Sequence, residues 1–220
     1  MADKKKNQLE ARSFMCEVRA EEPTEEENGS VITGRPIVFN SKTDLGYYDE
    51  IIEAGALDGT DLTDVRFLVN HDISRIPLAR SRRNNGNSTM QLSVDSEGMG
   101  IRVLLDTENN SEARSLYSAV QRGDISGMSF MFGISEEDWE NLDSEHPTRR
   151  IKSISTVVEV SAVTFPAYDS TSINARSSAD ALERARQAVE TAKQTRSNEP
   201  DQSGLDLELE KAKFEFKSKF

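Results

Sequence analysis

Hydrophobic and polar positions alternate along much of the chain, which is the pattern of β-strands with one buried face. A turn at Asp95–Gly98 separates two such segments and predicts a β-hairpin. Gly34 and Pro36 interrupt another segment, so that strand is expected to be bulged or to lie at a sheet edge. The predicted strands are Phe14–Arg19, Val31–Phe39, Val65–His71, Met90–Val94, Met99–Leu105, Ser129–Ile134 and Ile151–Val163.

Two segments instead show the spacing of amphipathic helices. The first begins at Asn110 or Ser111 as N-cap and ends before Gly123, which suits the left-handed position after a helix. The second begins at position 177 or 178 and ends near Thr195. Six to eight mostly antiparallel strands with two flanking helices predict a mainly β, α+β fold, either a β-barrel or a strongly bent sheet.

The division into domains follows from changes in polarity. Residues 1–13 form a polar, lysine-containing leader that we expect to be disordered, and residues 14–176 contain all the predicted strands. Residues 177–220 form a helical, charged tail interrupted by helix-breaking residues at 198–204. We expect this tail to be dispensable for folding.

Composition excludes several classes of function. The 220-residue chain carries a net charge of −12, which argues against nucleic-acid binding because phosphate contacts need a surplus of lysine and arginine. Its single cysteine, Cys16, rules out an internal disulfide and a cysteine-based zinc site. Apolar runs are too short for a membrane span or a signal peptide, so a soluble intracellular protein is expected. No metal or organic cofactor is predicted.

Ser129 is the first candidate for chemistry. It lies where the turn after the first helix passes into an aromatic strand, and a serine on such a rigid support can act as a nucleophile. The structural alternative is a strand serine whose hydroxyl donates to a neighbouring carbonyl. Ser126, in the same turn, is the next candidate nucleophile.

A serine nucleophile needs a base and a group that orients the base. Of the two histidines, His71 ends a hydrophobic strand, whereas His146 lies in a hydrophilic loop. Glu159 interrupts a run of valines in a core strand, where a carboxylate requires a buried partner unless it points outward. Asp72 and Asp124 are alternatives for this third role. A metal hydrolase is poorly supported, because no further histidine or cysteine accompanies His71.

Four blocks of sequence together resemble the HK97-type prohead protease family of tailed phages, over roughly residues 14–175. They are YDE…GAL at 48–57, FLVNHD at 67–72, RGDISGMSFMF at 122–132 and EVSAVTFPAY at 159–168. The family is similar in fold to the herpesvirus assemblins, which implies a β-barrel with a serine protease site. A methionine at position 131 stands where the family commonly has glycine, and this difference concerns the substrate pocket.

The resemblance implies His71 as base and Ser129 as nucleophile. For the third member, assemblins use a second histidine and the phage branch an acid, which favours Glu159 over His146. The implied function is a serine endopeptidase that cuts the scaffolding segment of the major capsid protein and itself, inside the prohead in the host cytoplasm. The tail at residues 177–220 would then hold the enzyme to the capsid interior and be removed by self-cleavage, and a homo-oligomer is among the partners considered. The alternative is a non-catalytic scaffold or capsid-interior binding module with the same fold.

Overall fold

The computed structural model describes residues 9–16, 18–21, 29–164 and 172–197. Within these ranges the chain is mainly β with two helices, so the predicted fold class is confirmed. The strands are β1 (Leu9–Met15), β2 (Arg19–Glu21), β3 (Ser30–Val38), β4 (Lys42–Asp44), β5 (Asp49–Ile52), β6 (Asp64–Val69), β7 (Ala79–Arg82), β8 (Met90–Asp95), β9 (Gly98–Leu105), β10 (Gly127–Glu140) and β11 (Thr148–Val163). The helices are α1 (Ser111–Gln121) and α2 (Ser172–Ser197).

The strands form two sheets. The larger contains β1, β10, β11, β5 and β4 in that order, with β6 and β7 attached through β11, and the smaller has the order β2-β3-β9-β8. Most pairs are antiparallel, as predicted, but β5 and β6 both run parallel to β11 at different points along it. Among the described residues neither sheet closes on itself, so a herpesvirus-like barrel is not what the pairing shows.

The long strand β11 organises the larger sheet, because β10 pairs with one of its edges while β5 and β6 share the other. Its alternation of valine, isoleucine and polar residues suits a strand with one face in the core. Buried side chains of both sheets and of α1 form one hydrophobic cluster that includes Phe67, Met99, Leu116, Phe130 and Val160. The strands that carry His71, Ser129 and Glu159 are therefore held by one core.

Several boundaries differ from the predictions. β1 begins at Leu9, inside the expected leader, and the segment around Arg19 forms the separate strand β2. β3 has the predicted irregularity after Gly34, but it is not an edge strand because it lies between β2 and β9. β10 extends beyond its predicted end at Ile134 as far as Glu140, because the added segment pairs with the first half of β11.

The helices match their predicted positions. The side chain of Asn110 accepts from the backbone N–H groups of Glu112 and Ala113 at the start of α1, and Gly123 has a φ of 78° just after its end. α2 begins before the predicted start, and Ala181 and Leu182 within it are buried. From Glu183 to Gln194 its side chains are exposed apart from the half-buried Ala185, so the predicted apolar face is not a buried one. In the described part of the chain neither helix is long and apolar enough to cross a membrane.

Candidate active site

His71 and Glu159 form a close pair. His71 follows β6, and Glu159 lies on β11, the strand beside it. Their side chains meet at 2.5 Å between Nδ1 and Oε1, with the glutamate side chain only 3% exposed and the imidazole 24% exposed. The carboxylate predicted to need a buried partner therefore has one, and that partner is an imidazole. The second imidazole nitrogen, Nε2, is left for a different partner.

The turn that carries His71 is unusual in its backbone. Asn70 and His71 both have positive φ angles, 52° and 59°, a conformation that costs non-glycine residues energy and needs support from its surroundings. Three hydrogen bonds between Asn70 and Thr164 give part of that support, at 2.9, 3.1 and 3.3 Å. The backbone N–H of His71 donates to the Ser161 hydroxyl at 3.1 Å. Ser161 on β11 and Thr164 just after it therefore fix the backbone that carries the His71 imidazole.

Ser129 lies on β10, directly opposite Ser161 of β11 in the antiparallel register. Its other neighbour is Ser13 of β1, so the candidate nucleophile is in the middle of three strands. It is fully buried, and its hydroxyl donates to the backbone oxygen of Arg12 at 2.8 Å. No hydrogen bond joins it to His71 in the described residues. The hydroxyl therefore has the partner that the structural alternative predicted, on a strand next to the His71–Glu159 pair.

A family model described as caudovirus prohead serine protease matches residues 15–185 of the chain. The chain belongs to this family. The resemblance stated from the four sequence blocks is thereby confirmed, and with it membership of a family of serine peptidases. The matched region contains His71, Ser129 and Glu159.

One relative and one solved structure extend the comparison. The prohead protease of Enterobacteria phage HK97 is 30% identical over 157 residues, which are 70% of this chain and 63% of that protein. The chain thus spans less than two thirds of that relative's length. The solved structure of the bacteriophage T4 capsid assembly protease has a TM-score of 0.43 and 13% identity, and the match covers 71% of this chain and 97% of that one.

In this member of the prohead protease family, the other candidates for the third site residue have partners other than His71. The Asp72 carboxylate accepts from the hydroxyl and backbone N–H of Ser74, and these hydrogen bonds lower its pKa. Asp124 is exposed and pairs with Arg122 at 2.7 Å. His146 is also exposed and is not part of the His71–Glu159 pair.

His146 belongs to a separate surface cluster. Its Nε2 lies 3.2 Å from Asp49 and 3.6 Å from Asp44, and the three side chains could together reach a cation. However, the Lys42 ammonium already pairs with Asp49, and the hydrogen bond from this lysine helps to lower the pKa of that carboxyl against the opposing effect of burial. A protein cation therefore already balances part of this acidic group.

Two cavities are lined by residues close to His71 in the chain. One of about 260 Å³ contains Glu159 itself in its wall. Met131, the residue that differs from the family pattern, lies on β10 two positions after Ser129 and also lines this cavity. Another of about 470 Å³ lies between the turn and α1, with mainly apolar walls. Leu68 and Arg75 line both cavities.

Backbone N–H groups of Gly127–Phe130 lie beside Ser129 in the chain and are the candidate donors to a developing oxyanion. In the structure β10 is paired along both edges over this stretch, with β1 on one side and β11 on the other. A donor engaged in a sheet is not free to bind a substrate oxygen. The arrangement therefore does not supply the expected donors as it stands.

Sequence reasoning missed two features around the site. Ser161 contacts both His71 and Glu159, but nothing in its sequence neighbourhood distinguishes it from other strand serines. A buried group of four charged residues also joins β1 to the rest of the larger sheet. Its members are Glu10, Arg12, Glu50 and Arg149. Alternating charged residues on strands signal an outward face, so the pattern gave no sign that these were buried.

Proposed function

We propose that the chain is a serine endopeptidase of phage capsid maturation, with Ser129 as nucleophile, His71 as general base and Glu159 as the group that orients the base. The observation that carries the proposal is the buried 2.5 Å contact between His71 Nδ1 and Glu159 Oε1. This pair lies beside the strand of Ser129 in a member of a serine protease family.

The roles follow from the chemistry of the pair. A carboxylate at Nδ1 holds the proton there and leaves the lone pair on Nε2, the nitrogen that can accept a proton from a serine hydroxyl. His71 removes the Ser129 proton as the serine oxygen attacks the peptide carbonyl, and then returns it to the leaving amine. Water, activated by the same imidazole, releases the acyl group. Glu159 stabilises the imidazolium that forms in each step.

The Ser129 hydroxyl must turn from Arg12 toward His71 before this chemistry. This change exchanges one hydrogen bond for another, each worth about 1 kcal/mol in net terms. The backbone N–H groups of Gly127–Phe130 belong to a strand that is paired along both edges. As a second requirement, oxyanion donors must therefore become available when substrate binds. Both changes concern β1, the strand that covers this edge of β10.

For substrates we propose the scaffolding segment of the major capsid protein and the chain itself, cut inside the prohead. The HK97 relative, which is named as a prohead protease, supports this. The cavity of about 260 Å³ beside Glu159 and Met131 is where we expect a substrate side chain to bind. The tail beyond residue 176 is proposed to hold the enzyme to the capsid interior and to be removed by self-cleavage.

The test is peptide cleavage by Ser129→Ala. Removing the hydroxyl should reduce cleavage of a capsid-protein substrate by about 10⁴-fold or more, because no nucleophile remains. Mass spectrometry of the substrate before and after incubation measures this directly. Ser126→Ala is the matched control, since Ser126 is an exposed serine in the preceding turn and should retain activity near the wild-type level.

One observation favours the second candidate, a non-catalytic binding module of the same fold. Ser129 is fully buried and its hydroxyl is bonded to Arg12 rather than to His71. The two candidates differ in the same experiment. Wild-type protein that leaves the capsid substrate intact, or equal cleavage by wild type and Ser129→Ala, contradicts the assignment of Ser129.

A further inference from the structure

Ser161 makes two hydrogen bonds, one to each member of the His71–Glu159 pair. Its hydroxyl donates to Glu159 Oε2 at 2.5 Å and accepts from the backbone N–H of His71 at 3.1 Å. The residue is fully buried on β11, two positions after the glutamate and on the same face of the strand. A single hydroxyl therefore joins the carboxylate to the backbone of the histidine.

The contact completes the coordination of the carboxylate. Oε1 of Glu159 faces His71 Nδ1, and Oε2 receives the Ser161 hydroxyl, so both oxygens have a partner. The glutamate is 2% exposed, which leaves little water to replace a lost donor. Because a buried carboxylate oxygen without a donor is costly, removing the hydroxyl would favour rotation of the carboxylate away from its present position.

The same hydroxyl also supports the strained turn. His71 has a φ of 59°, and such a conformation persists only where neighbouring contacts fix it. Its N–H donates to Ser161, while Asn70 N donates to Ala162 O at 3.0 Å. Ser161 is thus placed to set both the imidazole's attachment point and the carboxylate that orients the ring.

We propose that Ser161 is a positioning residue of the active site, which fixes Glu159 and the His71 backbone so that the imidazole Nε2 faces Ser129. Ser161 acts through these two residues and does not itself contact the substrate. The role rests on the proposed function of the His71–Glu159 pair. It explains why a hydroxyl stands in a fully buried position opposite the candidate nucleophile.

The first test needs no substrate. The chain has two histidines, so the imidazole protons can be assigned by NMR with His146→Gln as reference. In the wild type, the Nδ1 proton of His71 should give a downfield resonance protected from water exchange, as expected for a hydrogen bond to a carboxylate. In Ser161→Ala this resonance should move upfield or disappear through exchange.

The matched control is Ser81→Ala. Ser81 is also a fully buried strand serine, but its hydroxyl has no hydrogen-bond partner among the described residues. Both substitutions remove one buried hydroxyl, and only Ser161→Ala removes the contacts to His71 and Glu159. Ser81→Ala should leave the His71 resonance where it is in the wild type.

The second test is kinetic. Ser161→Ala should lower kcat by about 10- to 100-fold, the range expected for one lost hydrogen bond to a charged group, with KM changed by less than about twofold. Ser81→Ala should leave both constants near the wild-type values. If Ser161→Ala does not fold, Ser161→Cys replaces it, since a thiol nearly preserves the volume but is a weak donor.

The outcomes separate the two proposals. An unchanged His71 resonance in a folded Ser161 variant overturns the positioning role, whether or not kcat falls, as does a kcat within about twofold of the wild type. Wild-type protein that cuts no capsid substrate defeats the proposed function alone. In that case the NMR comparison still decides whether Ser161 positions the pair.

Discussion

At the residue scale, the three candidate side chains differ in how far their geometry is ready for catalysis. His71 and Glu159 are in contact at 2.5 Å, while Ser129 is bonded to Arg12 at 2.8 Å. The backbone of His71 is fixed to β11 through Ser161, whereas the Ser129 hydroxyl has its partner on β1. The structure therefore has the candidate base and the candidate orienting acid in contact, with the candidate nucleophile bonded to a different strand.

Substitutions of the two histidines should have very different effects. His71→Ala should reduce cleavage about as much as Ser129→Ala, and the double variant should be little worse, because the residues act as one unit. His146→Ala should retain nearly full activity, since its partners are Asp44 and Asp49 on the surface. Initial rates with a capsid-protein substrate measure all four proteins. A strong loss from His146→Ala would instead favour an assemblin-like second histidine.

Glu159→Gln should lower kcat by about 10²- to 10⁴-fold while the protein stays folded. The amide can offer its N–H group to the imidazole and so favour the wrong tautomer, with the proton on Nε2. Initial cleavage rates at saturating substrate concentration give kcat. Asp72→Asn is the control, because that exposed carboxylate bonds Ser74 and should be dispensable. Equal losses in the two variants would contradict the assignment of Glu159.

At the scale of elements, β1 is held to the larger sheet by the buried charged group. Arg12 donates to Glu50 at 2.5 Å and to Glu10 at 2.6 Å, and Arg149 contacts the same two carboxylates. Breaking such a group by removing one member is strongly destabilising, because a buried charge is left unpaired. Since β1 also provides the carbonyl that accepts from Ser129, this group helps to fix the strand beside the candidate nucleophile.

Lowering the pH from 4.5 toward 2 should weaken the attachment of β1 to the larger sheet. Burial raises the pKa of Glu10, but hydrogen bonds and charges of Arg149 and Arg12 outweigh it and bring the pKa from 4.5 to about 2. The stabilising effect is therefore complete above pH 4.5 and is lost as the pH falls toward 2. Glu10→Gln should lower the free energy of unfolding at pH 6 by about 3 kcal/mol, because this is the energy that corresponds to a pKa shift from 4.5 to about 2.

Urea unfolding at several pH values measures this effect. The difference between wild type and Glu10→Gln should shrink as the pH falls below 4.5, because a protonated glutamate resembles glutamine. Glu145→Gln, at an exposed position, serves as the control and should differ little from the wild type at any pH. A difference for Glu10→Gln that is constant with pH would show that its charge does not stabilise β1.

At the scale of the whole molecule, the boundary between the two compact units of the chain lies within α2. The chain divides into a compact unit up to Leu182 and a second unit from Glu183 onward. Within α2, Ser178, Ala181 and Leu182 are buried, so the predicted boundary at residue 176 removes buried side chains. The buried part of α2 therefore extends a few residues beyond the boundary that the change in sequence polarity indicates.

Two truncations test this boundary. A chain ending at Leu182 should keep the wild-type free energy of unfolding within about 1 kcal/mol, because the removed side chains from Glu183 to Gln194 are largely exposed. A chain ending at Arg176 should lose about 2–4 kcal/mol, the usual effect of deleting a buried leucine and its neighbours. Urea denaturation measures both. Equal stability of the two truncations would show that Ala181 and Leu182 contribute nothing to the core.

The sequence by itself determined the elements with strong local signals. The hairpin β8–β9, the helix α1 with its Asn110 cap and the long strand β11 all follow from periodicity and turn residues. Four blocks in order also gave the family, and Glu159 was recognised because a carboxylate among valines needs a buried partner. These inferences needed only residues close together in the chain.

The tertiary structure alone decided which distant residues meet. His71 and Glu159 are 88 residues apart, and only the parallel pairing of β6 with β11 brings them into contact. Likewise, the contact of Ser161 with His71 and the burial of Arg12 both depend on neighbouring strands. A strand's own pattern shows which residues share a face, but not which strand covers that face. Contacts between strands, and therefore the arrangement of the site, depend on pairings that no local pattern encodes.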